Sequence, residues 1–246
     1  MSLFFPTKIA LSEVINGMVD IHNHLLPGID DGAQNEDETL KMLNSYANLG
    51  IKKIVTSPHV MEGNYPNSVH TIQQKLEQVQ KLIEEKKAEV KVEGSGAEYM
   101  LEENFRTLLK KKEICTIAKK YVLVEMSYFQ APLNLEEIIF EIEHTGYIPI
   151  LAHPERYNFY KDEKDYAKLL ELGCKFQLNL LSLSRHYGEH VQKKAFSLLK
   201  KGSYTFLGTD AHHEKHLEKI ATIKVKKSQA EEIKKLVKNN NALFKK

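Results

Sequence analysis

The chain has 246 residues, of which 42% are hydrophobic and 28% are charged, and its formal net charge is +2. This is the composition of a globular protein with a large core, and the small net charge argues against a nucleic-acid partner. Its two cysteines, Cys115 and Cys174, provide no disulfide framework, so we expect a cytoplasmic protein. No segment has the pattern of a signal peptide or a membrane span, so we expect no membrane insertion.

Taken in chain order, residues 1–16 are predicted to be an N-terminal extension that packs on a single domain formed by residues 17–246. Short β-rich runs then alternate with segments of helical periodicity. The runs are 18–22, 52–57, 90–97, 121–126, 148–152, 174–180 and 204–208. The helical segments include 36–49, 69–83, 135–144 and a last helix opened by Ser228. Asn134 with Glu137 fits a capping box, and left-handed caps are expected at Gly50, Gly146, Gly173 and Gly202.

Seven such β–α units indicate an α/β fold with a parallel sheet and helices outside it. Periodicity alone permits either a closed barrel or an open doubly wound sheet. The polar residues favour a TIM-like barrel, because functional groups of such barrels gather at the C-terminal ends of the strands.

Potential metal ligands recur where the predicted strands end. His22 and His24 are two residues apart, so on a strand they would point to the same side, although this pair alone is weak evidence. Seven further ligands follow, namely Asp31, His59, Glu98, Glu125, His153, Asp210 and His212. Four acids and five histidines at one end of a barrel exceed what the few nearby cations could neutralise. Divalent metal ions would neutralise them, and nine ligands predict two or three ions.

The ligand types also indicate a reaction. Carboxylates are unusual in a structural zinc site, which prefers cysteine. A mixed His, Asp and Glu set suits catalytic manganese, iron or zinc, and clusters of two or more such ions are typical of phosphoester hydrolysis. Neither cysteine precedes the arginine-ended loop that a cysteine phosphatase needs, so we expect no phosphocysteine intermediate.

Six motifs carry a family resemblance: HNHLLPGIDDG, TSPH, GAEYM, VLVEMS, LAHPERY and GTDAH. They resemble the polymerase-and-histidinol-phosphatase (PHP) superfamily and are most similar to its capsule-type CpsB/CapC tyrosine phosphatases, from about Gly17 to the C-terminus. The resemblance implies a distorted seven-stranded (β/α) barrel with a trinuclear centre, usually of manganese, with iron, zinc or magnesium as alternatives. It assigns the nine residues above as the ligands.

The resemblance also implies roles in the reaction. Arg156 would hold the phosphate, with His59 and Asp210 as further catalytic residues. The implied substrate is phosphotyrosine on the tail of a bacterial tyrosine autokinase that controls capsule or exopolysaccharide synthesis. The family usually has a second arginine after the last Asp-x-His, and this chain does not. Its candidate replacements for binding substrate are Arg185, Lys215, His216 and Lys219.

Several alternatives remain open at this point. The chain could be a small-molecule phosphatase of the histidinol-phosphate type, a catalytically weak phosphotyrosine-binding homologue, or an amidohydrolase, since those barrels also open with His-x-His. Aromatic residues after the strands could line a rim for an aromatic substrate or simply pack the loops. These residues are Tyr128, Phe129, Tyr157 and Tyr160. The oligomeric state is not predicted.

Overall fold

The computed structural model describes residues 8–245, so the predicted N-terminal extension lies partly outside the described residues. Within its described part, Lys8–Ala10 form strand β1 and Leu11–Ile15 form helix α1. β1 pairs antiparallel with β11, which is Lys224–Lys226, and the apolar side chains of α1 are buried. The beginning and end of the described chain therefore pack together, and the boundary at residue 16 stays a prediction.

The remaining strands are parallel and form two sheets. Their bounds are β2 (Val19–Asp20), β3 (Lys53–Thr56), β4 (His59–Val60), β5 (Lys91–Ser95), β6 (Glu98–Met100), β7 (Tyr121–Glu125), β8 (Ile148–Ala152), β9 (Lys175–Asn179) and β10 (Tyr204–Gly208). One sheet has the order β10-β9-β8-β7-β6-β4 and the other has the order β2-β3-β5. The predicted α/β class with a parallel sheet is confirmed.

Backbone hydrogen bonds connect the two parallel sheets at both sides. The run predicted over 90–97 contains only β5, and β6 begins at Glu98 after a break at Gly96 and Ala97. A Cβ at Gly96 would lie 2.5 Å from the Ile117 side chain. Across this break the amides of Gly96 and Glu98 donate to carbonyls of Thr56 and Pro58, at 2.8 and 2.9 Å. On the other side, the amide of Asp210 donates to the carbonyl of His22 at 2.8 Å.

The apolar core has two parts because alternate residues of a strand face opposite sides. A small cluster contains one face of several strands, with Val19, Ile21, Val55, Leu123 and Ile150 among its members. The larger cluster packs the opposite strand faces against the helices. The small cluster separates the two ends of the strands, and the polar residues discussed below lie beyond its C-terminal side.

The other helices follow the strands. They are α2 (Glu36–Asn48), α3 (Val69–Lys86), α4 (Glu103–Lys111), α5 (Leu135–His144), α6 (Glu163–Glu171), α7 (Glu189–Lys200), α8 (Glu214–Ala221) and α9 (Lys227–Ala242). The predicted capping box at α5 is wrong: the Asn134 backbone is not extended, and its side chain makes no cap hydrogen bond. Ser228 lies inside the first turn of α9 rather than before it. The four predicted glycine caps are confirmed by φ values of 70° to 89°. Within residues 8–245, no helix is both long and apolar enough to span a membrane.

Candidate metal centre

All nine predicted ligands lie at one edge of the parallel sheets: most lie at or after the C-terminal end of a strand, while His59 and Glu98 open the short strands β4 and β6 that come after β3 and β5. Because parallel strands all point the same way, their ends bring residues that are far apart in sequence to one edge. His22 and His24 follow β2, His59 opens β4, and Glu98 opens β6. The others are Glu125 at the end of β7, His153 after β8, and Asp210 and His212 after β10, with Asp31 in the loop before α2.

The ligand atoms form three overlapping groups, and within each group they lie within 4.8 Å of one another. The groups are His24, Asp31, His59 and His212; His22, His24, Glu98 and Asp210; and His59, Glu98 and Glu125. His153 joins them through its Nε2, which is 3.1 Å from Glu98 Oε1. Glu98 belongs to two groups and has two oxygens, so a carboxylate at this position could bridge two ions.

The orientation of His22 is set by Gln177, a residue of β9 that the sequence did not single out. Gln177 Oε1 lies 2.8 Å from His22 Nδ1 and accepts the backbone amide of His153 at 3.3 Å. The His153 amide can only donate, so the Gln177 atom between the two residues is the oxygen, which accepts. His22 Nδ1 therefore donates to the same oxygen and carries the proton. The Nε2 lone pair of a neutral His22 then points towards Glu98 Oε2 and Asp210 Oδ1, at 3.1 and 3.3 Å.

Two further histidines are fixed in the same way. Asp30 Oδ2 lies 2.9 Å from His24 Nδ1, and the backbone carbonyl of Asp210 lies 2.9 Å from His212 Nδ1. Burial would raise the pKa of Asp30, but the positive charge and hydrogen bond of His24 lower it to about 2. Such partners hold the Nδ1 proton and turn Nε2 inward, as they do for histidine ligands of metals in general.

The centre contains buried polar atoms that form no hydrogen bond. They are His22 Nε2, His24 Nε2, His59 Nδ1, His153 Nδ1, Glu98 Oε2 and Glu125 Oε1. Several of these imidazole nitrogens lie 2.9 to 3.5 Å from a carboxylate oxygen. The angles between the groups nevertheless do not allow a hydrogen bond. Buried polar atoms without partners are rare, and the atoms of His22, His24, His59, Glu98 and Glu125 that face one another inside the three groups need cations between them. The residues therefore fit divalent metal ions.

The charges agree with this fit. Burial alone would lower the pKa of His22, but the carboxylates of Glu98 and Asp210 outweigh burial and raise it to about 9. Burial would likewise raise the pKa of Glu98, and the surrounding imidazoles hold it well below its usual range. Both directions mean that, without metal ions, the positive charge that balances the carboxylates comes from protonated imidazoles.

Arg156 lies beside this cluster, on the 3-10 turn Pro154–Arg156 after β8. Its Nη1 donates to Asp210 Oδ2 at 2.8 Å, and its guanidinium carbon lies 4.6 and 4.1 Å from the ring centres of Tyr128 and Tyr187. Asn179 Nδ2 also donates to Asp210 Oδ2, at 2.7 Å. These two bonds occupy Oδ2 and leave Asp210 Oδ1 facing the histidines.

The backbone at two of the predicted ligands is unusual. His153 and Asp210 have φ values of 34° and 51°, in the left-handed region that few residues other than glycine adopt. Asp20, which the sequence did not single out, holds the strand end before Asp210, because its carboxylate accepts from the amide and hydroxyl of Thr209 at 3.0 and 2.7 Å. Backbone strain of this kind is concentrated at functional sites.

A cavity of about 810 Å³ opens over the cluster. Tyr128 and Phe129 line it as expected for an aromatic rim, but Tyr157 and Tyr160 do not, since Tyr157 is buried in the core. Arg185 is not brought to the cavity: its side chain is 72% exposed and lies 3.7 Å from Glu189. Among the four candidate replacements for a second arginine, only His216 is in the described lining, together with His186 and His213.

Gln177 gives a test of the centre that spares the ligands themselves. We expect Gln177→Leu to weaken metal binding by about 10- to 100-fold, because His22 would lose the partner that fixes its Nδ1 proton. Metal titration followed by calorimetry would measure the effect. Gln192→Leu is a matched control, since the side chain of Gln192 on α7 donates to the Leu183 carbonyl at 2.8 Å, away from the ligand groups. Equal metal affinity in the Gln177 variant and the wild type would contradict this role.

The fold and the site together define an α/β protein with a histidine, aspartate and glutamate cluster able to bind metal. The chain belongs to the family described as "Capsular polysaccharide synthesis, CpsB/CapC", which it matches over residues 18–245. It is 27% identical to tyrosine-protein phosphatase YwqE of Bacillus subtilis over 199 residues, covering 80% of this chain and 78% of the relative. It is 29% identical to tyrosine-protein phosphatase CpsB of Streptococcus pneumoniae over 200 residues, covering 80% of each.

Solved structures agree with the family assignment. A crystal structure from work on YwqE and CpsB, described as unique metal-dependent tyrosine phosphatases, matches with a TM-score of 0.76 and 27% identity, covering 82% of this chain and 84% of that one. A lactonase from Listeria monocytogenes matches with a TM-score of 0.54 and 14% identity, covering 96% of each chain. The lactonase likeness concerns the fold alone.

Proposed function

We propose that this chain is a metal-dependent protein tyrosine phosphatase that acts on the phosphotyrosine tail of a bacterial tyrosine autokinase in capsule or exopolysaccharide synthesis. The observation that carries the proposal is the position of Arg156, whose guanidinium lies against Asp210 at the edge of the three ligand groups. The names of the CpsB and YwqE relatives support the phosphotyrosine substrate. The cytoplasmic location stays a prediction, with Cys115 and Cys174 both free thiols.

The proposal includes the finer form of the fold. We infer a distorted seven-stranded barrel in which β3 with β4, and β5 with β6, each count as one interrupted strand. The hydrogen bonds across Gly96 and between Asp210 and His22 support this reading, because they join the two parallel sheets on both sides.

We assign the nine ligands to two or three ions, with manganese as the expected metal and iron, zinc or magnesium as alternatives. When bound, such ions lower the pKa of water and stabilise negative charge on phosphate oxygens. The protein groups do the rest. Arg156 binds phosphate oxygens through the guanidinium edge that Asp210 does not occupy. Asp210 links Arg156 to the cluster. His59 is placed at the cavity, where its imidazole can contact substrate.

The direct test compares substrates. Protein reconstituted with Mn²⁺ should hydrolyse a phosphotyrosine peptide with a higher kcat/KM than histidinol phosphate or a nucleotide monophosphate. A preference for histidinol phosphate would favour the small-molecule alternative. Tight binding of the peptide without turnover would favour a phosphotyrosine-binding homologue. Either result would overturn the proposal.

Arg156 should be essential for substrate binding. We expect Arg156→Lys to lower kcat/KM on p-nitrophenyl phosphate by about 10²- to 10³-fold, chiefly through KM, because lysine cannot stack between two rings or bind phosphate bidentately. Steady-state kinetics with Mn²⁺ would measure the change. Arg106→Lys is the matched control, since Arg106 pairs with Glu103, Glu137 and Glu141 on α4 and α5, outside the cavity lining. A wild-type KM in the Arg156 variant would exclude it from phosphate binding.

A further inference from the structure

The rim of the cavity differs in chemistry from one side to the other. Three apolar side chains come from the ends of adjacent strands: Met61 follows β4, Met100 ends β6, and Phe129 lies in the loop after β7. Because β4, β6 and β7 are neighbours in the sheet, these side chains occupy one arc of the rim. The opposite arc, over β9 and β10, carries His186, His213 and His216 instead. We call Met61, Met100 and Phe129 together the apolar arc.

The apolar arc contains an unusually exposed aromatic ring. Phe129 is 92% exposed, and Leu133 on the same loop is fully exposed. Single exposed apolar residues are ordinary, but large ones at a cavity mouth indicate a binding surface. The backbone before this ring is held in place by the preceding residue, Tyr128. The ring centre of Tyr128 lies 5.9 Å from that of Tyr157, and the Tyr128 ring packs on the Arg156 guanidinium.

We propose that Met61, Met100 and Phe129 form a subsite that takes an apolar side chain next to the phosphorylated tyrosine of the substrate. The inference rests on the proposed function and deepens it, because it states which phosphotyrosine sequences the site prefers. Phe129 lines the cavity and is 92% exposed, so it lies at the mouth, where a ligand longer than the phosphorylated residue can contact it.

The composition of the arc identifies the class of side chain. Two of its three members are methionines, which are flexible and adapt to apolar groups of different shape. The side chains of Glu62 and Glu102 also line the cavity on this side, and the amide of Glu62 donates to the Glu102 carboxylate at 2.6 Å. Their negative charge disfavours an acidic neighbour. The subsite should therefore accept leucine or phenylalanine, accept serine less well, and reject aspartate.

Three phosphotyrosine peptides would test the subsite, identical except for leucine, serine or aspartate on both sides of the phosphotyrosine. With the Mn²⁺-reconstituted wild type, kcat/KM for the leucine peptide should exceed that for the serine peptide by about five- to tenfold. The aspartate peptide should be the poorest of the three. In Phe129→Ser the ratio of leucine to serine peptide should fall towards one. Phe140→Ser is the matched control, because Phe140 is 65% exposed on α5 and outside the cavity lining, and it should leave the ratio unchanged.

The outcomes separate the two proposals. A wild type that hydrolyses all three peptides equally, or a Phe129→Ser variant with the wild-type ratio, overturns the subsite while leaving the phosphatase intact. A wild type that hydrolyses none of them overturns the proposed function and the subsite with it. Sedimentation and binding to anionic vesicles should be the same for the wild type and Phe129→Ser. A change in either, with the peptide ratio unaltered, would assign this surface to a second copy or a lipid surface instead.

Discussion

Glu98→Gln should lower kcat on p-nitrophenyl phosphate by at least about 10³-fold and reduce the bound metal. Glu98 is fully buried and belongs to two of the three ligand groups. The amide has the shape of the carboxylate but carries no charge and offers one acceptor oxygen instead of two. Two ions that share this residue would both lose a ligand. Kinetics with saturating Mn²⁺ and metal analysis of the purified variant would measure the two effects.

The chain offers a close control for that variant. Glu155 is also fully buried, but it accepts from the Asn179 amide and the Tyr204 hydroxyl, both at 3.0 Å, and is in none of the ligand groups. Glu155→Gln keeps an acceptor for the amide, so we expect it to bind metal normally and to retain activity within about threefold, with a stability loss of about 1 kcal/mol. If both variants lose activity equally, the loss follows from removing any buried carboxylate near the cavity. The role of Glu98 as a ligand shared by two groups would then be refuted.

The sequence predicted which histidine and acidic side chains the fold brings together, because their signal is local. His22 and His24 are neighbours in one motif, and Asp210 and His212 are in another, so each motif reports its own strand end. A parallel α/β fold then brings all the ends to one edge. The family resemblance supplied what composition and spacing could not, namely the role of Arg156 and the phosphotyrosine substrate.

The partners of these ligands were missed for the opposite reason. Gln177 lies 155 positions from His22, and nothing in its local sequence distinguishes it from an ordinary strand residue. Tyr187 stacks on Arg156 from a loop after β9, and only the folded chain brings the two together. Arg185 shows the converse: it was a candidate to replace the missing second arginine, whereas its side chain is exposed and pairs with Glu189. Contacts across the fold depend on tertiary packing, which residue types and spacing do not encode individually.

Removing metal should abolish activity and lower the thermal stability of the wild type. Without cations, the unpaired atoms of the buried imidazoles and carboxylates converge on one another, and this arrangement is unfavourable. Ions present at about 100 times their Kd stabilise a protein by about 2.7 kcal/mol, so chelation should lower the Tm by about 5–10 °C for a chain of this size. Activity assays and thermal scans, before and after dialysis against a chelator, would measure both.

Re-addition of single metals then gives the matched comparison. Mn²⁺ should restore activity and the Tm together in the wild type, because both depend on the same ligand atoms. Glu98→Gln should gain much less Tm than the wild type at the same Mn²⁺ concentration, whereas Glu155→Gln should gain as much. Full activity in protein that mass spectrometry finds free of metal would refute the metal centre. A Tm gain of equal size in Glu98→Gln would instead place the stabilising ions away from the cluster, since the variant removes the carboxylate that two of its three groups share.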